Sequence, residues 1–120
     1  MNFSVLKIDH VQVAAPAGKE REAIAFYAGI LRMQELEKPE VLKRRGGAWF
    51  GFGEQQLHVG VEEPFSPAKK AHPAFRVAGY KELKAHLLVN KVEVKEDKSI
   101  PGVERFFIFD PFGNRLEFLD

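Results

Sequence analysis

Four residues whose side chains can bind a divalent metal or move a proton fall at matched positions: His10, His58, His72 and Glu117. His10 and His58 lie 48 positions apart, His72 and Glu117 45. Their surroundings can be laid on one another. His10-Val-Gln-Val-Ala-Ala aligns with His72-Pro-Ala-Phe-Arg-Val, and Gly53-Glu-Gln-Gln-Leu-His58-Val with Gly113-Asn-Arg-Leu-Glu117-Phe. This is the pattern of an internal repeat with an ionisable residue on the first and last strand of each half. The chain has no cysteine, which removes disulfides, thiolate zinc sites and cysteine nucleophiles together. Any metal must therefore be held by imidazole and carboxylate. Three imidazoles and a carboxylate around one point suit one divalent ion, Zn²⁺, Fe²⁺, Ni²⁺, Co²⁺ or Mn²⁺, whereas two histidines and a carboxylate leave open positions for substrate and water. Such an ion polarises a carbonyl or holds an oxyanion.

The elements that must position these residues follow from hydrophobic spacing. Val5 to Ala15 reads as a strand, closed by Pro16 and Gly18. Ala23, Phe26, Tyr27, Ile30 and Leu31 recur at helical intervals and predict a helix over Lys19 to Leu31. Strands are expected at Leu36 to Val41, Gly47 to Phe52 and Gln56 to Glu62, the last two joined by a turn at Gly53-Glu54. Glu63 to Lys70 has the composition of a linker. The order then restarts: a strand at Pro73 to Ala78, a helix at Tyr80 to Val89 with Tyr80, Leu83, Leu87 and Leu88 inward, and strands at Val92 to Glu96, Arg105 to Phe109 and Asn114 to Leu119. The fourth histidine, His86, falls on the outer side of the second helix and is expected at the surface.

Side chains alternate across a strand, so same-parity neighbours share a face. Gln12 goes with His10, Gln56 with His58, Ala74 and Arg76 with His72, and Arg115 with Glu117. The opposite parity holds Val11, Val13, Leu57, Val59, Phe75, Val77, Leu116 and Phe118, all apolar and suited to helices. One face should be greasy and the other chemical.

Composition narrows the class. One domain of 120 residues, 45% hydrophobic and 29% charged with eleven phenylalanines, describes a globular chain with an aromatic core. A net charge of +1 gives no reason to expect nucleic acid or an anionic membrane as partner. Lys43-Arg44-Arg45 reads as a solvated loop. No export signal or span-length apolar run is evident, so a cytoplasmic protein is expected.

Four segments carry a family resemblance: Ile8-Asp9-His10-Val11-Gln12-Val13, Ala25-Phe26-Tyr27 ahead of Ile30-Leu31, Ala71-His72-Pro73-Ala74-Phe75-Arg76-Val77, and Phe109-Asp110-Pro111-Phe112-Gly113-Asn114-Arg115-Leu116-Glu117-Phe118. Over its whole length the chain resembles the vicinal oxygen chelate superfamily of glyoxalases, bleomycin-resistance proteins and extradiol dioxygenases. The resemblance implies an α+β fold in one domain. Two βαβββ modules, about 1–63 and 71–120, form a curved, U-shaped mixed sheet with helices on its outer face. It makes His10, His72 and Glu117 metal ligands. His58 falls where glyoxalase I enzymes carry a glutamate ligand, which leaves it a fourth ligand, a general base or a pocket residue. Glu117 and His58 are the candidate catalytic groups. Gln12, Trp49, Gln56, Arg76 and Arg115 are the candidate substrate-binding residues, the arginines suiting a carboxylate or phosphonate. The implied function is a metal-dependent glyoxalase-like lyase, isomerase or resistance-type transferase acting on a small chelating oxygenated substrate. The alternative is a drug-sequestering binding protein without catalysis. Modules of about 60 residues are marginal alone and must pair, either within one chain or across a dimer; the resemblance allows both, and a homodimer is expected.

Overall fold

A computed structural model describes residues 1–120. The chain forms two four-stranded mixed sheets of identical topology. In the first, β1 (His10–Ala15), β4 (Gln55–Val61), β3 (Ala48–Phe52) and β2 (Gln34–Leu36) lie side by side in that order. In the second the order is β5 (Ala74–Arg76), β8 (Arg115–Leu119), β7 (Arg105–Phe109) and β6 (Lys95–Glu96). The first strand of each module runs parallel to the last, and the remaining pairs are antiparallel. The predicted α+β class and βαβββ repeat are therefore present.

The first helix is α-helical over Glu20–Ile24 (α1) and continues as a π-helix over Ala25–Ile30. The wider turn brings the consecutive residues Phe26 and Tyr27 inward together, both buried. The second helix, α2 (Tyr80–Val89), has the predicted bounds, but Leu88, expected inside, is 56% exposed. His86 is also not a free surface residue. Its Nε2 donates to the Ile30 carbonyl at 2.9 Å, tying α2 to the end of the first helix.

Other expectations shift where strands lack partners. Residues 1–9 form no strand: in the register that sets His10 opposite Gln56, β4 begins at Gln55 and leaves nothing for Val5 to Ile8 to pair with. The second strand stops at Leu36. Beyond Pro39, Glu40–Arg45 winds into a 3₁₀ helix whose Lys43 reaches Glu37 and Glu40 at 3.1 and 2.8 Å.

The greasy face is as the alternation predicts. Val13, Leu57, Val59, Phe75, Leu116 and Phe118 are buried, and they join Tyr27, Phe50, Phe106 and Leu87 in one cluster shared by both modules. The modules are also joined by a buried polar network at the Asp110-Pro111-Phe112-Gly113 turn. Asp110 Oδ1 accepts from the Phe112 and Asn114 amides at 2.9 and 2.8 Å, and Oδ2 from Tyr27 Oη at 2.6 Å and Asn114 Nδ2 at 2.9 Å. Asn114 Nδ2 also donates to the Ala14 carbonyl on β1, and its Oδ1 accepts from Ala68 in the linker. Gly113 must be glycine here, since its φ of +94° is compounded by Pro67, which an added Cβ would meet at 3.3 Å. Burial and the Asp110 carboxylate push the Tyr27 hydroxyl well above its ordinary pKa, so it stays a donor. Tyr27→Phe should cost about 1.5–3 kcal/mol, the range for a hydrogen bond to a charged group. Urea denaturation measures it, and a loss under about 0.5 kcal/mol would show that water replaces the hydroxyl.

Candidate functional site

Strand register places the chemical residues of the two modules in equivalent positions. Gln12 lies opposite His58 on β1 and β4, and Ala74 lies opposite Glu117 on β5 and β8. Two residues earlier come His10, the first residue of β1, and His72, two residues ahead of β5. Across the other side, Trp49 on β3 faces His58 and Phe107 on β7 faces Glu117. Each module thus offers a half-site on its open face: an imidazole from the start of the first strand or just before it, an ionisable group from the last and an aromatic ring beside it.

In the first half-site three rings stack. Trp49 lies 3.9 Å from His58 at 6°, and His58 lies 4.2 Å from His10 at 15°. His58 is buried by these neighbours although it is on the open face. Its Nε2 hydrogen-bonds Gln56 Oε1 at 2.8 Å, which puts the proton on Nε2 and the lone pair on Nδ1. His10 Nδ1 contacts Asp9 Oδ2 at 2.9 Å, and this partner holds the Asp9 carboxyl below its ordinary value. With Nδ1–H donated to a carboxylate, His10 presents the Nε2 lone pair, the arrangement that orients a metal-binding histidine. An imidazole lone pair lies in the ring plane, and a bound ion sits about 2.1 Å away in that plane. Because the His10 and His58 planes are nearly parallel and stacked, a single ion cannot lie in both, so this arrangement does not fit His58 as a fourth ligand beside His10.

The second half-site is a chain of polar contacts. His72 Nδ1 donates to the Lys70 carbonyl at 2.8 Å, and its Nε2 lies 2.8 Å from Glu117 Oε1. Since the carbonyl fixes the proton on Nδ1, Nε2 can face the carboxylate comfortably only with a second proton or with a cation between them. Imidazole and carboxylate converge here as metal ligands do. Glu117 Oε2 accepts from Arg105 Nη1 at 3.3 Å, and Arg105 also binds Asp97 at 3.1 Å, its Nε buried without a partner. Sequence reasoning missed Arg105 because it opens an otherwise apolar strand; its parity with Phe107, opposite Glu117, was the available signal.

A hollow of about 860 Å³ runs between the unpaired edges of β1 and β5, with His10, Gln12 and Gln56 on one bank and His72, Ala74 and Arg76 on the other. Gln12 lies over Gly60, where an added Cβ would come within 2.9 Å of its amide. Arg76 donates to the Asp120 carbonyl, and the Arg115 guanidinium lies 3.8 Å from the Phe107 ring centre. Nowhere in the single chain do three histidine, aspartate or glutamate side chains converge closely enough to hold one ion. The candidate residues come together in pairs.

Paired βαβββ modules with chemistry on the open sheet faces define the architecture of the glyoxalase-type fold. A structure from Bacillus anthracis described as a glyoxalase family protein is 53% identical, with a TM-score of 0.96, over 99% of this chain and 98% of that one. The chain belongs to this glyoxalase family, within the vicinal oxygen chelate superfamily. A glyoxalase/dioxygenase from Nostoc punctiforme shares the fold at 20% identity and a TM-score of 0.76, covering 99% of this chain and 97% of that one. So does a lactoylglutathione lyase from Agrobacterium tumefaciens, at 19% and 0.74, covering 94% and 92%. No protein-family model and no curated protein matches. No helix is long and apolar enough to cross a membrane.

Burial first, and then the charge of His10, lower the His58 pKa from its ordinary value. A histidine whose folded value is depressed stabilises the fold above its unfolded value of about 6.5, and that contribution is lost as pH falls through the folded one. The His58 ring should titrate in NMR with a midpoint below 6.5. Emission of Trp49, the only tryptophan, should fall over the same range as the stacked imidazole becomes a cationic quencher. A midpoint at or above 6.5 would contradict the burial argument.

Proposed function

We propose that the protein is a divalent-metal-dependent glyoxalase-like enzyme, a lyase, isomerase or transferase, acting on a small oxygenated substrate that chelates the ion. We further propose that its site is completed in a homodimer, with His10 of one subunit facing the partner's His72 and the partner's Glu117. The observation carrying this reading is the pair of register-equivalent half-sites, each with an imidazole oriented through Nδ1 and neither sufficient alone.

Surface area supports the dimer. A folded monomer of this mass exposes about 6,600 Å², whereas this chain exposes 8385 Å². The excess, about 1,800 Å², is the order of area each subunit of an obligate dimer buries. Part of it is the extended N-terminal segment, where Phe3, Val5, Leu6 and Ile8 are all more than half exposed.

Two histidines and one carboxylate leave coordination positions for substrate, and the bound ion would supply Lewis-acid polarisation of the substrate oxygens. Glu117 would exchange a proton through its carboxylate, a role supported by Arg105 holding Oε2. His58, kept neutral and with Nδ1 unprotonated, is the second candidate base. Trp49 and Gln12 would wall the substrate on the first-module side.

Mass spectrometry should find near-stoichiometric metal in the wild type and little in His10→Ala or Glu117→Gln. Refolding these two variants together provides the sharper test. A site shared between subunits reappears intact once per mixed dimer, so random pairing restores about one quarter of wild-type metal. A site within one chain restores none. No metal under any loading would turn the reading toward a binding protein.

A further inference from the structure

Both oxygens of the Glu117 carboxylate are engaged, and by different partners. Oε1 lies 2.8 Å from His72 Nε2, and Oε2 accepts from Arg105 Nη1 at 3.3 Å. The other terminal nitrogen of the same guanidinium, Nη2, donates to Asp97 Oδ2 at 3.1 Å and to Ser99 Oγ at 3.3 Å, in the loop that follows β6. The loop is tied to Arg105 a second time by the Asp97 amide, which donates to the Arg105 carbonyl at 3.2 Å. Asp97 is held in turn by Ser99, whose amide donates to its Oδ1 at 2.8 Å. Hydrogen bonds from Ser99, with the Arg105 charge behind them, keep the Asp97 carboxyl below its ordinary value, so it stays ionised.

This is more than a surface ion pair. The Arg105 and Glu117 side chains are 17% and 9% exposed, and Arg105 Nε is buried with no partner. A side chain serving only to balance charge would turn that nitrogen to water, because a buried unpaired donor is costly. Here Nε goes unpaired while both Nη atoms keep oxygen partners. A guanidinium is a rigid plane, so fixing Nη2 on the loop fixes where Nη1 points, and with it Glu117 Oε2. The first module has no counterpart. Phe107 faces Glu117 as Trp49 faces His58, so Arg105, two residues before Phe107, corresponds to Gly47. An added Cβ at Gly47 would lie 2.1 Å from the Val59 carbonyl oxygen, which leaves no room for a side chain there. His58 is fixed by its ring stack and by Gln56 instead.

We propose that Arg105 is a positioning residue for Glu117: anchored on Asp97 and Ser99, it occupies Oε2 so that Oε1 alone is open to a ligand. A carboxylate can bind an ion through one oxygen or through both. With Oε2 committed, Glu117 binds through Oε1 beside His72, and the position a second oxygen would take stays open for a chelating substrate. That consequence rests on reading His72 and Glu117 as metal ligands. The clamp on Glu117 does not.

Two measurements test this. In metal-free protein, the terminal N–H signals that Arg105→Lys removes from a low-temperature NMR spectrum belong to Arg105. They should be resolved, because the guanidinium is held on both sides, and should average in Asp97→Asn. Averaged signals in the wild type overturn the clamp, whether or not the protein binds metal. Cobalt(II) alone is then titrated, with visible absorption as the readout. Arg105→Lys keeps the charge and loses the fork. It should weaken cobalt binding by about tenfold or more, the usual cost of losing a group that orients a ligand, and should shift the visible bands, which report the ligand oxygens. Wild-type affinity and bands in Arg105→Lys overturn the proposal. So does a change confined to Arg105→Met, which would assign Arg105 to charge alone, or a lower urea midpoint with unmoved bands, which would assign it to stability alone. A wild type that takes up no cobalt sinks the metal reading, and the metal-free signals then decide the clamp.

Discussion

The carboxylate of Asp110 is the point on which the two modules turn. A buried carboxylate is tolerable only when its lone pairs are filled, and four donors meet this one. Two come from its own turn, one from Asn114 and one from Tyr27 on the first helix. Asn114 spends its remaining capacity on the Ala14 carbonyl and the Ala68 amide. A single turn therefore fixes β8, the first helix, the end of β1 and the linker at once. The strands bearing His10 and Glu117 take their relative placement from it.

That junction joins the modules through their backs and leaves their open faces free. β1 and β5 remain edge strands on either side of a hollow, and each half-site keeps only two potential ligands. An unpaired edge and an uncovered polar face are costly features for a lone chain, and the proposed pairing with a second copy would relieve both. On that proposal, duplication followed by two-fold pairing would give two identical sites from one small sequence. The repeat also permits divergence: the first half-site is a stack of rings, the second a carboxylate held between imidazole and guanidinium.

The aromatic residues are as informative as the ionisable ones. Trp49 and Phe107 occupy equivalent places, yet Trp49 buries a neutral imidazole whereas Phe107 supports guanidinium groups on its face. A ring beside a titratable group therefore does opposite work in the two halves. It desolvates His58, and it holds Arg115 in place.

The sequence alone determined which residues share a face. Period-two alternation separated Val13, Leu57, Phe75, Leu116 and Phe118 from His10, His58 and Glu117, because strand geometry makes that choice locally. The repeat spacing likewise made His10 correspond to His72 and His58 to Glu117. Strand lengths were less legible. Residues 5–9 have strand-like alternation but no neighbour, and a strand exists only where another supplies its hydrogen bonds. The environment of each ionisable group was decided by tertiary structure. That His58 lies between two rings, that Arg105 clamps Glu117, that His86 reaches the first helix and that Arg76 bonds the Asp120 carbonyl all depend on contacts between residues apart in the chain. Local periodicity sets the direction of a side chain; only packing sets what it meets there.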